Sequence, residues 1–250
     1  TSSSRTSLDA RSRFTSAAKR VASVLARRFS VAVAALAGAV SLVSAQPVPE
    51  ILHYKFDQSG TSVTNNASAP PAGTATGTIN GGITQNATMG TTSLKAAVGT
   101  GVASSSDFIN TGWATSLSGS WSISFFTSDI TGTATLYYIM GDANAGSFRI
   151  FTNGVAGANN WILRGTGITD VPLNGAVGTT PAMATFVYDS TANEIRAYKD
   201  GVLLNTVAQS SGLAVSGTGP FKVIGYGANV GLNAGGKLAD VRIYSKALSQ

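Results

Sequence analysis

From residue 46 to the C-terminus no window carries a sustained 3.6-residue hydrophobic period, whereas short runs of period 2 recur between clusters of Gly, Asn, Ser and Pro. Alternation of this kind puts apolar side chains on one face of a strand, and the missing helical segments remove the crossovers a parallel sheet needs. In Ser120–Thr127 (SWSISFFT) Trp121, Ile123 and Phe125 alternate with serines, which predicts a half-buried strand. Leu52, Tyr54 and Phe56 share the inner face of an opening strand, with His53, Lys55 and Asp57 on the other. Further strands are expected at Leu136–Met140, Phe148–Phe151, Trp161–Arg164, Ala182–Tyr188, Glu194–Lys199, Val202–Val207, Phe221–Ile224 and Lys237–Tyr244. Residues 59–90 are polar and predict at most one weak strand, near Ile79–Ile83. Asp200-Gly201 lies between two of the expected strands, and both residues tolerate the positive φ of a type I′ turn, so a hairpin is predicted there. Such numerous, evenly spaced strands predict an all-β fold of two packed antiparallel sheets in one domain, residues 46–250.

The charge distribution separates a leader from that domain. Residues 1–45 hold seven basic side chains and one acid, Asp9, whereas residues 46–250 hold ten of each. A neutral domain carries no basic footprint for phosphates, so no nucleic-acid partner is expected. Arg27-Arg28 precede the 13-residue apolar run Val31–Val43, which ends in Val43-Ser44-Ala45. A basic segment, a short apolar segment and a small-x-small site are the parts of a secretory signal peptide, cleaved here after Ala45. The run falls short of the roughly 18 apolar residues of a spanning helix, so no stable membrane span is expected after processing. The expectation is a secreted or cell-surface protein, bacterial by its short Ala/Val-rich leader.

Composition narrows the chemistry. The chain has no cysteine and one histidine, His53, which excludes disulfides, thiolate nucleophiles and multi-His metal clusters. Gly231–Lys237 copies the first seven places of a phosphate-binding loop, but Leu238 replaces the hydroxyl residue and a strand follows instead of a helix. His53 alternates with Lys55 on a polar strand face, which predicts a solvent-facing ring and not the base of a Ser-His-Asp triad.

The last seventy residues resemble the laminin G-like (LamG-like) jellyroll domains of the concanavalin A-like lectin/glucanase superfamily. The resemblance rests on Ala184–Ser190 (ATFVYDS), Glu194–Val202 (EIRAYKDGV), Gly219–Gly225 (GPFKVIG) and Gly236–Ser249 (GKLADVRIYSKALS), with His53–Asp57 matching the usual first strand. Tyr198, Asp200, Gly201, Gly236, Asp240, Arg242, Tyr244, Ala247 and Leu248 occupy the family's motif positions, whereas Met183 replaces its aromatic residue. The resemblance implies a concanavalin A-like jellyroll sandwich that binds glycans or extracellular proteins, in some members through calcium, and implies no activity by itself.

Glycosidases on such folds need two carboxyls about 5–9.5 Å apart. The hydrolase relatives place them on alternate residues of one strand, and no strand here has an i, i+2 carboxylate pair. The nearest two acids, Asp189 and Glu194, flank a turn. A non-catalytic binding or adhesion module is therefore the leading expectation, and a divergent glycoside hydrolase or lyase the alternative. For calcium, Asp142, Asn144 and Asn153 supply the oxygen types a hard cation prefers. For sugar stacking, Trp121 belongs to the core, while Trp113 and Trp161 in polar surroundings and Tyr226 between two glycines are the candidates.

Overall fold

The computed structural model describes residues 47–131, 136–143, 147–152 and 159–249. Val48–Gln250 form one compact unit. The leader, with its cleavage site, lies outside the described residues, as do Asn144 and Asn153.

Among the described residues there is no helix and there are eighteen strands. They are β1 (Leu52–Tyr54), β2 (Ser62–Thr64), β3 (Thr76–Asn80), β4 (Thr84–Thr88), β5 (Lys95–Val98) and β6 (Phe108–Asn110). Next come β7 (Ser116–Leu117), β8 (Trp121–Ser128), β9 (Tyr138–Gly141), β10 (Phe148–Thr152), β11 (Trp161–Gly165) and β12 (Ile168–Leu173). The last six are β13 (Ala182–Asp189), β14 (Glu194–Lys199), β15 (Val202–Ala208), β16 (Val215–Ser216), β17 (Lys222–Val223) and β18 (Lys237–Tyr244). One antiparallel sheet runs β15-β14-β13-β8-β18-β5-β4 with β1 also on β18, and a second runs β12-β11-β10-β9-β17-β6-β3-β2. Strands β7 and β16 form a small separate pair. The expected two-sheet sandwich is thus the observed architecture.

The inner faces meet in one core. Leu52, Tyr54, Phe56, Trp121, Ile123 and Phe125 are buried there as their alternation predicts. Tyr54 reaches so far between the sheets that a Cβ on Gly77 would lie 2.7 Å from its hydroxyl, so β3 admits only glycine at that point. Burial raises the pKa of Tyr54, as it must for a phenol with no charged partner. Along one side the sheets are tied where Asn205 Nδ2 on β15 donates to the Pro172 carbonyl on β12 at 2.9 Å.

Two local features differ from expectation. Residues 59–90 hold three strands: β3 overlaps the expected weak strand, and β2 and β4 are sheet edges, which expose Ser, Thr and Asn and need few apolar residues. On β8 the serines are buried as well, since Ser122 Oγ donates to the Lys246 carbonyl at 2.8 Å and the C-terminal segment covers that face. The β14–β15 hairpin has its predicted turn: Asp200 (φ 50°) and Gly201 (φ 81°) join strands in the register Lys199 opposite Val202.

Candidate functional site

Both tryptophans expected to be accessible are core residues. Trp161 is fully buried, because it begins β11 on the same inward face as Leu163 and meets Phe125 edge-on at 5.9 Å. Trp113 is 2% exposed and packs edge-on against Phe221 at 5.1 Å, its ring part of the core although its neighbours are polar. These placements correct the expectation of two surface sugar platforms.

The calcium expectation is corrected for its described ligand. Asp142 is 2% exposed, and its Oδ2 accepts the Gly219 N–H at 2.9 Å, clamping the segment before β17. A carboxylate enclosed in this way does not fit an open loop site for a hard cation. Among the described residues no three His, Cys, Asp or Glu side chains gather as a metal site.

Tyr226 is different. It is half-buried outside the core and stacks on Tyr138, with centroids 5.1 Å apart and planes 15° apart. Tyr138 stacks in turn on Phe151 at 5.2 Å and 19°. Near-parallel rings at this separation are offset, the arrangement their quadrupoles prefer. The row exists because of a register shift. Arg149 pairs with Gly141 and Ile150 with Met140, but Phe151 pairs with Tyr138, so an irregularity between Ile150 and Phe151 sets the two rings opposite each other. Arg149 alternates with the buried Phe148 and Ile150 and therefore points outward, its guanidinium carbon 5.1 Å from the Tyr226 centroid and 5.8 Å from that of Phe151. Its Nη1 donates to the Tyr226 hydroxyl at 3.4 Å. At the far end of the row Arg164 lies over Phe151 at 5.2 Å and is paired with Asp170.

Several devices hold Tyr226 in place. A Cβ on Gly141 would stand 2.8 Å from Arg149 Cβ and 2.9 Å from Tyr226 Cδ2, so only glycine lets this ring lie against β9. Ile224, two residues earlier, has φ 54°, a conformation β-branched residues almost never adopt. Strain of this kind, roughly 1–3 kcal/mol, persists where the surroundings over-determine it and often marks a functional segment. The turn is pinned by Lys222, whose Nζ donates to the carbonyls of Ser104 (2.7 Å) and Gly227 (3.1 Å) and lies 4.1 Å from the Phe108 centroid. Burial holds the Lys222 ammonium below the usual lysine range. Of this group sequence reasoning found Tyr226 alone, through its flanking glycines.

The outer face of the other sheet bears a contrasting cluster. His53 and Arg242 are cross-strand partners on β1 and β18, and Asp240 lies between them. Asp240 Oδ1 meets His53 Nε2 at 3.0 Å and the Arg242 Nε–H at 2.9 Å, while its Oδ2 meets Arg242 Nη2 at 2.6 Å. His53 is therefore half-buried and bonded, not solvent-facing as expected, and among the described residues no serine bonds its ring. Burial acts to raise the Asp240 carboxyl, but His53 and Arg242 outweigh it and hold it below its ordinary value. An open depression of about 400 Å³ lies beside them, lined also by Lys55, Asp57 and Lys95. The nearest acid pair in sequence, Asp189 and Glu194, is bound by Arg196 at 2.6 and 2.7 Å.

No family model matches the chain, and no curated protein matches it in sequence. Solved structures do match its fold. It is similar to the binding domain of botulinum neurotoxin serotype G, with a TM-score of 0.55 and 10% identity over 77% of this chain and 49% of that one. The receptor-binding domain of botulinum neurotoxin D gives 0.50 and 16% over 78% and 50%. A carbohydrate-binding module (CBM40) of a Ruminococcus gnavus IT-sialidase, solved with α2,3-sialyllactose, gives 0.44 and 13% over 54% and 80%. The chain spans about half the length of the neurotoxin domains it matches. The likeness to the two neurotoxin domains shows a β-sandwich fold.

Proposed function

We propose that this chain is an exported, non-catalytic module of the LamG-like type that binds a glycan at Tyr226, the accessible end of the row in which Tyr226 and Tyr138 stack over the buried Phe151. The observation that carries the reading is an aromatic row on the outer sheet face, with Tyr226 and Tyr138 half-buried over a buried Phe151, held by Gly141, a strained Ile224 and the Lys222 clamp. Sugar rings place C–H groups on aromatic faces while adjacent polar groups take their hydroxyls. Here the tyrosine hydroxyls and the Arg149 N–H groups are those neighbours. The sequence resemblance and the fold shared with binding domains support the same class, and the charge and hydropathy of the leader support export to the medium or cell surface.

A glycan array probed with the protein and with Tyr226→Ala tests the reading. The wild type should bind a defined set of glycans, and the variant, still folded at the assay temperature by circular dichroism, should lose at least tenfold in affinity. Equal binding by the two proteins, or no binding by the wild type, would overturn it.

A further inference from the structure

Four arginines lie among the described residues, and three of them have carboxylate partners: Arg164 with Asp170, Arg196 with Asp189 and Glu194, and Arg242 with Asp240. Arg149 pairs with no carboxylate among the described residues, although it is half-buried. Its cross-strand partner on β11 is Arg164, so two guanidinium groups stand opposite each other on one sheet face. Like charges directly opposite are unfavourable in a sheet, and Asp170 neutralises only one of the two. Lys222 adds a further cation nearby, bonded to carbonyls and to no acid. The strip therefore carries uncompensated positive charge beside a surface suited to sugar rings.

We infer that the ligand is an acidic glycan whose carboxylate pairs with Arg149. This rests on the glycan-binding reading above. A guanidinium offers its N–H groups in a planar fork that matches the two oxygens of a carboxylate, and such pairs are stronger than neutral hydrogen bonds. One N–H of Arg149 goes to the Tyr226 hydroxyl, which orients the group beside the ring where a stacked sugar would lie. A uronate residue stacked on Tyr226 presents its carboxylate within this span, and its charge relieves the opposition of Arg149 and Arg164.

The test compares polygalacturonate with the same polymer highly methyl-esterified, which keeps the ring and removes the charge, alongside alginate, hyaluronan and dextran sulfate. Binding to at least one of the three carboxylated polymers is expected. Esterification, or Arg149→Gln, should weaken it at least tenfold, and Arg149→Lys should fall between wild type and Gln because it keeps the charge and loses the fork. The Arg149→Gln variant should also show a shallower loss of binding with added salt. If neutral glycans bind in a Tyr226-dependent way and Arg149→Gln binds like wild type, the inference fails and the glycan reading stands. Binding to dextran sulfate alone likewise overturns the carboxylate assignment. If the wild type binds neither these polymers nor any neutral glycan, both fail together.

Discussion

The outer faces of the two sheets each present a half-buried arginine, and the two are held in opposite ways. Arg242 sits in a closed set: Asp240 takes its Nε–H and Nη2 and also meets His53. Arg149 sits among rings, with a hydroxyl as its bonded neighbour and another arginine across the strand. Charge satisfied from within the fold marks a structural joint, and a charge with no carboxylate partner among the described residues, beside an ordered aromatic row, is what the proposed glycan site rests on. The position of Asp240 agrees with this. Strand β18 changes partner at that residue, from β5 at Lys237–Ala239 to β1 at Val241–Ile243, and its φ of 49° marks the bulge.

The largest expected effect follows from breaking the closed set. Asp240→Ala strands a partly buried guanidinium and removes a residue type that tolerates positive φ, so it should cost about 3 kcal/mol, within the range for breaking buried ion pairs. Urea denaturation would measure it, and binding at the Tyr226 strip should persist while the protein is folded. The same carboxylate fixes a pH dependence. Its folded pKa lies below the unfolded value of about 4, so its contribution is present above that value and is lost as the pH falls through the folded one. Wild-type stability should fall more steeply than that of Asp240→Asn as pH is lowered below about 4, measured as thermal midpoint against pH. Parallel curves would show that this cluster does not carry the charge coupling assigned to it.

An intermediate effect belongs to the other face. Gly141→Ala places a Cβ against Arg149 and Tyr226 and should cost roughly 1–3 kcal/mol as an overpacking change. Its distinguishing consequence is at the strip. Tyr226 must leave β9, so glycan affinity should fall several-fold more than the small unfolded fraction accounts for. A variant with full affinity would show that the ring need not lie where the structure holds it.

What could be read from the sequence was local. The Asp200-Gly201 turn needs only its own backbone preferences, and β14 and β18 were found at their observed bounds, Glu194–Lys199 and Lys237–Tyr244. The strands β2 and β4 are not legible because their outward residues are Ser, Thr and Asn, which in sequence resemble a loop, whereas the weak strand expected near Ile79–Ile83 overlaps β3 at Ile79 and Asn80. Trp113 and Trp161 are misplaced by the sequence because polar neighbours say nothing about which way a ring turns: Phe125 of the opposite sheet takes Trp161 inward, and Phe221, just before β17, packs on Trp113. The strip itself is non-local. Arg149 and Tyr226 are 77 residues apart, and the register shift that aligns Phe151 with Tyr138 has no signature in either strand. The pairing of His53 with Asp240, 187 residues apart, was invisible for the same reason.

The smallest expected effect is the sharpest test of the contrast between the arginines. Arg149→Gln removes cation–π contacts with Tyr226 and Phe151 that are worth about 0.5–1 kcal/mol at partly exposed sites. It also removes a half-buried charge without a carboxylate and relieves the opposition to Arg164, which offsets that loss. Thermal melts should place the variant within about 0.5 kcal/mol of wild type, the scale of surface substitutions. Arg242→Gln leaves Asp240, 7% exposed, with His53 as its remaining described side-chain partner, and should cost several times more. Added salt should raise the stability of the wild type relative to Arg149→Gln, because screening weakens the repulsion across β10 and β11. If Arg149→Gln proved as destabilising as Arg242→Gln, Arg149 would be a structural cation held by its rings, and the distinction between the two faces would collapse.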